Sequence, residues 1–288
     1  MARCTFAGVP AILLFLFQLA SDDFTFVDPR PVTITGYSGD AMEPFLTPDG
    51  RDLLFNNSNA DPARTDLQWA ERIDDVTFAY RGTLSGANST ALDAVASIDS
   101  DGAMYFISTR DPALATVYRA TFENGVVRDV VPLPALTAPG HLIFDAGVSE
   151  DGSTLYLSDG VFNGGAVPAS ADLAIAVRTA GGGLQRIDDG EFADINTAAL
   201  EYAACISSDR LELFFTRIVG GVPQIFRSTR SDSSSPWRPP RRLAAISGFV
   251  EAPAIAPGGN ALYYHANRGG RFVIERVTRR LRRRAAAH

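Results

Sequence analysis

Short stretches of alternating apolar and polar residues, separated by turns rich in Gly, Pro and Asp, recur along most of the chain. The clearest runs from Glu43 to Phe55: a short strand, a turn at Pro48-Asp49-Gly50, then Leu53-Leu54-Phe55. Asp-Gly between two apolar runs is a strong hairpin signal, because Gly accepts the positive φ that tight turns demand. The same signal returns at Asp101-Gly102 before Met104-Tyr105-Phe106-Ile107 and at Asp151-Gly152 before Leu155-Tyr156-Leu157. Weaker copies stand at Asp209-Arg210 before Leu213-Phe214-Phe215 and at Gly258-Gly259 before Leu262-Tyr263-Tyr264. Turn positions 49, 101, 151, 209 and 258 lie 52, 50, 58 and 49 residues apart, so the chain is a five-fold repeat.

Each repeat carries two further strand patterns, such as Leu67 to Arg72 and Val76 to Tyr80 in the first, and no helix of any length is evident. Four-stranded units at this spacing are the mark of propeller blades. The pattern predicts an all-β, five-bladed β-propeller over residues 22–278, with blades near 37–82, 88–132, 140–188, 196–246 and 247–278. The last repeat lacks a fourth strand, while Pro29 to Ile34 parallels the fourth strand of repeat four at Pro239 to Ile246. Residues 29–35 are therefore expected to complete the last blade, which removes the edges that an open ring would leave.

The stretch Pro44-Phe45-Leu46-Thr47-Pro48-Asp49-Gly50, followed by a polar pair and an aliphatic-aromatic strand, resembles the WD-repeat-like propeller repeat of TolB-type bacterial proteins. Repeats two and three keep its Asp-Gly; four and five have drifted. The resemblance implies the fold over nearly the whole mature chain and no particular activity, since the repeat occurs in binding proteins, peptidase accessory domains and enzymes alike. TolB's six blades and its helical N-terminal domain are not matched, so its partnership with the peptidoglycan-associated lipoprotein is not carried over.

Composition narrows the function. A net charge of −7 gives no global attraction for nucleic acid, and the absence of Lys among 26 basic residues excludes lysine-nucleophile chemistry. The all-Arg usage reads as coding bias in a GC-rich bacterial genome. Arg3, the apolar run Phe6 to Ala20 and the polar Ser21-Asp22-Asp23 have the layout of a signal peptide over residues 1–21, which predicts a periplasmic or extracellular protein. Cys4 falls in that segment, so the processed chain keeps Cys205 alone, in an apolar run that reads as a buried structural thiol. Arg279 to Arg284 open a basic tail, 279–288, suited at most to weak contact with an anionic surface.

An acidic residue stands near the start of every innermost strand: Glu43, Asp93, Asp145, Glu201 and Glu251, at offsets of 6 to 8 residues from the turn. Converging at the channel mouth, they would form a ring whose mutual repulsion favours a bound cationic group. A structural reading stands beside this one, in which the acids satisfy backbone N–H groups between blades. Asp93, Asp145 and Glu201 also follow the Asp, Asp, Glu order of arabinanase-like five-bladed glycosidases, whose inverting pair needs carboxyls roughly 6.5–9.5 Å apart. Aromatic sugar platforms are not obvious. His141 and His265 fall at different points of the repeat and suggest no metal site, and no cofactor is implied. Trp237 reads as packed under its own loop or as an exposed recognition side chain. The expectation is a non-catalytic binding or scaffold propeller for a protein, peptide or glycan, with a carbohydrate-active enzyme as the alternative; oligomeric state is left open.

Overall fold

The computed structural model describes residues 24–281. Within them the backbone forms twenty-one strands in five separate sheets, with helix confined to two three-residue 3-10 turns. The first blade holds β3 (Met42–Leu46), β4 (Asp52–Asn56), β5 (Leu67–Arg72) and β6 (Thr77–Thr83). The second holds β7 (Asp93–Ile98), β8 (Ala103–Ser108), β9 (Val117–Glu123) and β10 (Val126–Pro132). The third holds β11 (Leu142–Val148), β12 (Thr154–Val161), β13 (Ser170–Arg178) and β14 (Leu184–Ile187). The fourth holds β15 (Glu201–Ile206), β16 (Glu212–Val219), β17 (Val222–Thr229) and β18 (Arg241–Arg242). The fifth holds β19 (Val250–Ile255), β20 (Ala261–Arg268) and β21 (Arg271–Leu281), completed by β1 (Phe24–Pro31). This is the expected five-bladed propeller.

The recurrent turn works as its sequence requires. Thr47, Ser149 and Ser207 each donate a hydroxyl to the Asp two residues on, at 2.6, 2.6 and 2.5 Å. Gly50 and Gly152 follow with φ of +70° and +66°. In the drifted fourth copy Arg210 occupies that left-handed place, at φ +61°. The second strands supply the aromatic and aliphatic layers between blades: Leu53, Phe55 and Tyr263 in one cluster, Tyr105 and Leu157 in another, Phe214 and Tyr264 in a third.

Ring closure differs from the expectation in detail. The closing strand is β1, residues 24–31, and not 29–35; it pairs antiparallel with β21 from Phe24 opposite Leu281 to Pro31 opposite Glu275. The chain then changes sheets within one peptide. Val32 donates its N–H to Ile274 of the last blade (2.9 Å), and Thr33 donates to Val76 of the first (2.7 Å). Residues Thr33–Thr35, β2, run parallel to β6 as a fifth strand of the first blade.

Arg279 and Arg280, expected to open a tail, are ladder residues of β21. The Arg279 guanidinium stacks over Phe24 and Phe26 and forms an ion pair with the buried Glu212 of blade four. A charge run read as solvated had a buried partner 67 residues away. The rest of the basic run and the expected signal segment lie outside the described residues.

Candidate functional site

All five innermost strands carry a β-bulge near their start, and in four of them one bulged residue takes a left-handed backbone: Glu43, Val95, Ala203 and Ala252, with φ between +51° and +55°. Such residues cost of order 1–3 kcal/mol unless the surroundings hold them. Here a polar side chain from the second strand of another blade does so. Asn56 Oδ1 accepts from Val95 N–H (3.3 Å), Ser158 Oγ from Ala203 (2.9 Å), Thr216 Oγ1 from Ala252 (3.1 Å) and His265 Nδ1 from Glu43 (3.1 Å). In the second blade the corresponding residue is Ile107, which offers no acceptor. The strand beside it, β11, has a shorter bulge and no left-handed residue.

These bulges decide where the five acids go. Counting from the turns, Glu43 and Asp145 share one position, Glu251 stands one residue earlier, and Asp93 and Glu201 two residues earlier. The five do not form a ring. Asp93 is fully buried, and its carboxylate accepts from Ser89 N–H (2.5 Å), Ser89 Oγ (2.7 Å) and Arg110 Nη2 (2.6 Å). Glu201, equally buried, accepts from Thr197 N–H (3.1 Å), Thr197 Oγ1 (2.7 Å) and Arg217 Nε (2.6 Å).

The two sites are copies of one device. Asn88-Ser89-Thr90-Ala91-Leu92-Asp93 matches Asn196-Thr197-Ala198-Ala199-Leu200-Glu201, and Asn88 and Asn196 clamp the N–H and C=O of Leu67 and Leu173. Arg110 lies over Phe106 and Tyr118, and Arg217 over Phe215 and Phe226. Both carboxylates are thus tied to a loop hydroxyl, a backbone N–H and an Arg of their own blade.

The remaining three acids meet at the channel. Glu43 and Asp145 line it, together with small residues of every inner strand, among them Ala96, Gly147, Ala204, Cys205 and Pro253. Gly147 is obligatory, because a Cβ there would stand 2.6 Å from the Ala204 carbonyl oxygen. The channel has a volume of about 60 Å³. That holds a few waters and is far below the roughly 300–1,000 Å³ of small-molecule pockets.

Asp145 is 6% exposed, and neither its carboxylate nor that of Glu43 accepts a hydrogen bond from any described residue. Burial holds the Asp145 carboxyl well above the usual range, and the Glu43 charge adds to this. Burial also pushes Glu43 up to about 7, with His265 opposing and Glu251 adding. Glu43 is half-buried and borders the channel.

Glu251, by contrast, is held. Tyr202 donates its hydroxyl to Oε1, and His265 Nε2 stands 3.0 Å from Oε2. Since His265 Nδ1 accepts the Glu43 N–H, the ring is the neutral Nε2–H tautomer and donates to Glu251. Burial resists charging of this imidazole, but the Glu43 and Glu251 carboxylates outweigh it and raise its pKa.

Aromatic rings gather around this mouth. Phe144 lies 5.6 Å from Phe162 and 5.9 Å from Tyr202, and Phe272 packs against both Phe249 and His265. Sequence reasoning missed these aromatics and passed over His265. The signal for His265 was its place after Leu262-Tyr263-Tyr264, where the other repeats carry Asn56, Ser158 and Thr216.

Other candidates fall to packing. Cys205 accepts the Ile255 N–H at 3.3 Å, and burial raises its thiol to about 11, so it is no nucleophile. Trp237 is buried, with its indole N–H on Glu191 (3.0 Å) and Arg230 4.2 Å above its ring. His141 contacts Asp159 at 3.1 Å. Among the described residues no group of three or more His, Cys, Asp or Glu is arranged to hold a metal ion.

No protein-family model matches the chain, and no curated protein does. Solved structures do match in fold. A glycoside hydrolase superposes with a TM-score of 0.63 at 12% identity, over 92% of this chain and 94% of that one. The catalytic domain of an α-L-arabinofuranosidase from Coprinopsis cinerea gives 0.54 at 13% identity, over 89% and 96%. TolB from Acinetobacter baumannii gives 0.47 at 14% identity, over 83% of this chain and 54% of that one, so the chain spans about half the TolB length. At these identities the likeness to the first two is one of fold alone.

Proposed function

We propose that the chain is an exported, non-catalytic binding propeller. Its ligand is a protein or peptide that docks on the face where the inner strands begin and sends a basic group into the channel mouth. One observation carries this reading: Asp145, buried against the channel, is a carboxylate without a hydrogen-bonding partner, and Glu43 beside the same channel is another. An ammonium or guanidinium head would satisfy both and lift their mutual repulsion. The volume of about 60 Å³ suits such a head and excludes a sugar ring from the channel itself. The test is fluorescence polarisation with labelled peptides that carry one Lys or Arg, compared with Gln-substituted versions. Basic peptides are expected to bind the natural chain and to lose at least tenfold in affinity with Glu43→Gln/Asp145→Asn. Equal binding of the Gln peptides sinks the reading.

A second reading, a carbohydrate-active enzyme, draws support from the rings of Phe144, Phe162 and Tyr202 at the mouth. It would have to use Glu43, Asp145 and Glu251, since Asp93 and Glu201 are consumed in the fold. Hydrolysis of a glycan panel that is abolished by Asp145→Asn and Glu251→Gln would favour it over the first.

A further inference from the structure

The channel is too small for more than the head of a side chain, so the rest of a ligand must lie on the face around its mouth. That face is not uniform. On blade one its groups are polar and spent on one another: Asn56 Nδ2 donates to the Asn57 carbonyl (2.9 Å) and to Asn59 Oδ1 (2.8 Å), and Asn57 Nδ2 donates to the Arg64 carbonyl (2.8 Å). On blades three and five, apolar rows run outward from the channel acids. Beside Asp145 on β11 stands Phe144, whose ring meets Phe162 at 5.6 Å, and Val167 in the loop that Phe162 opens is 67% exposed. From Glu43, His265 leads to Phe272 at 5.6 Å and on to Phe249 at 5.9 Å, where the ring stands exposed. Leu142 and the valines of the Val219-Gly220-Gly221-Val222 turn add exposed apolar tips to the same face. Apolar side chains scattered singly over a surface need no explanation. Rows that start at two channel carboxylates, one of them Asp145 with 6% exposure and no hydrogen-bond partner, do need one.

We infer, resting on the channel reading proposed above, that the ligand is an extended peptide segment whose basic residue has a large apolar side chain two positions away on each side. In an extended chain residues i−2, i and i+2 face the same way, about 7 Å apart along the strand. Blades three and five are not neighbours in the ring, so the two rows leave the mouth in divergent directions. A basic head between Glu43 and Asp145 therefore sends its i−2 and i+2 neighbours toward Phe162 on one side and Phe249 on the other. The aliphatic stem of Lys or Arg adds its own apolar length to the contact. The aliphatic tips favour a peptide over a glycan, because Val167, Val219 and Val222 give a sugar neither a stacking plane nor a hydrogen bond.

The experiment is fluorescence polarisation of the full chain with labelled peptides Phe-Ser-Arg-Ser-Phe, Ser-Ser-Arg-Ser-Ser, Ser-Phe-Arg-Phe-Ser and Phe-Ser-Gln-Ser-Phe. The first is expected to bind at least tenfold more tightly than each of the others. Phe249→Ser, at an exposed position where the fold is spared, should cut the advantage of the first over the second at least threefold and leave the second unchanged. Equal binding of the first two peptides, or of the first and third, overturns the proposal and leaves the channel reading standing. A Phe249→Ser variant that keeps the full advantage does the same. Equal binding of Phe-Ser-Arg-Ser-Phe and Phe-Ser-Gln-Ser-Phe overturns both.

Discussion

Replacing Glu43 by Gln tests whether the channel carboxylates are in the electrostatic state that their burial implies. The Glu43 carboxyl titrates at about 7 in the folded chain, against an ordinary value of 4.5. Because the folded value is the higher one, its contribution to stability is fully present below the unfolded pKa and is lost as pH rises through the folded one. The rise corresponds to about 3 kcal/mol, most of it lost between about pH 5 and about pH 8. Gln cannot ionise, yet it keeps the backbone N–H that His265 accepts. Urea unfolding across this range should therefore find the variant close to the natural chain near pH 5 and more stable by about 2–3 kcal/mol near pH 8. Losing the charge on Glu43 also relaxes Asp145, so the variant's own profile should flatten. Parallel pH profiles, or a natural chain that gains on Glu43→Gln toward alkaline pH, would refute the reasoning.

Two further substitutions separate structure from site. Glu201→Gln removes the charged partner of a guanidinium held between blade layers, and losing one member of a buried pair costs about 3–5 kcal/mol; a midpoint shift in thermal unfolding with unchanged peptide binding is expected. Gly147→Ala drives a Cβ against the Ala204 carbonyl oxygen, and overpacking of this kind costs about 1–3 kcal/mol. Its φ is not left-handed, so a normal melt for this variant would show that the inner strands separate readily.

The blades were legible because each is specified locally. Thr47, Asp49 and Gly50 fix one turn within four residues, and the apolar strand behind it fixes the face. The acids were harder, because a β-bulge interrupts every inner strand beside them and breaks the simple alternation of faces. Their unequal offsets of 6, 8, 6, 8 and 7 residues from the turns were the readable trace that they are not equivalent. Glu43 and Asp145 share an offset and share the channel; Asp93 and Glu201 share another and are bound by Arg110 and Arg217. His265 stayed hidden because its hydrogen bond to Glu43 spans 222 residues. Arg279 was misread for the same reason, its carboxylate partner lying on another blade.

The one-peptide switch between Val32 and Thr33 has a consequence for how the ring can be cut. Phe24 and Leu281 are ladder partners, within about 5.5 Å across an antiparallel pair. A short linker joining them would preserve every blade, and the chain could then be opened at a rim turn such as Gly181-Gly182-Gly183 instead. The order of blades is thus cyclic, and the seam between first and last is a matter of where the polypeptide was broken, not of how the ring is built.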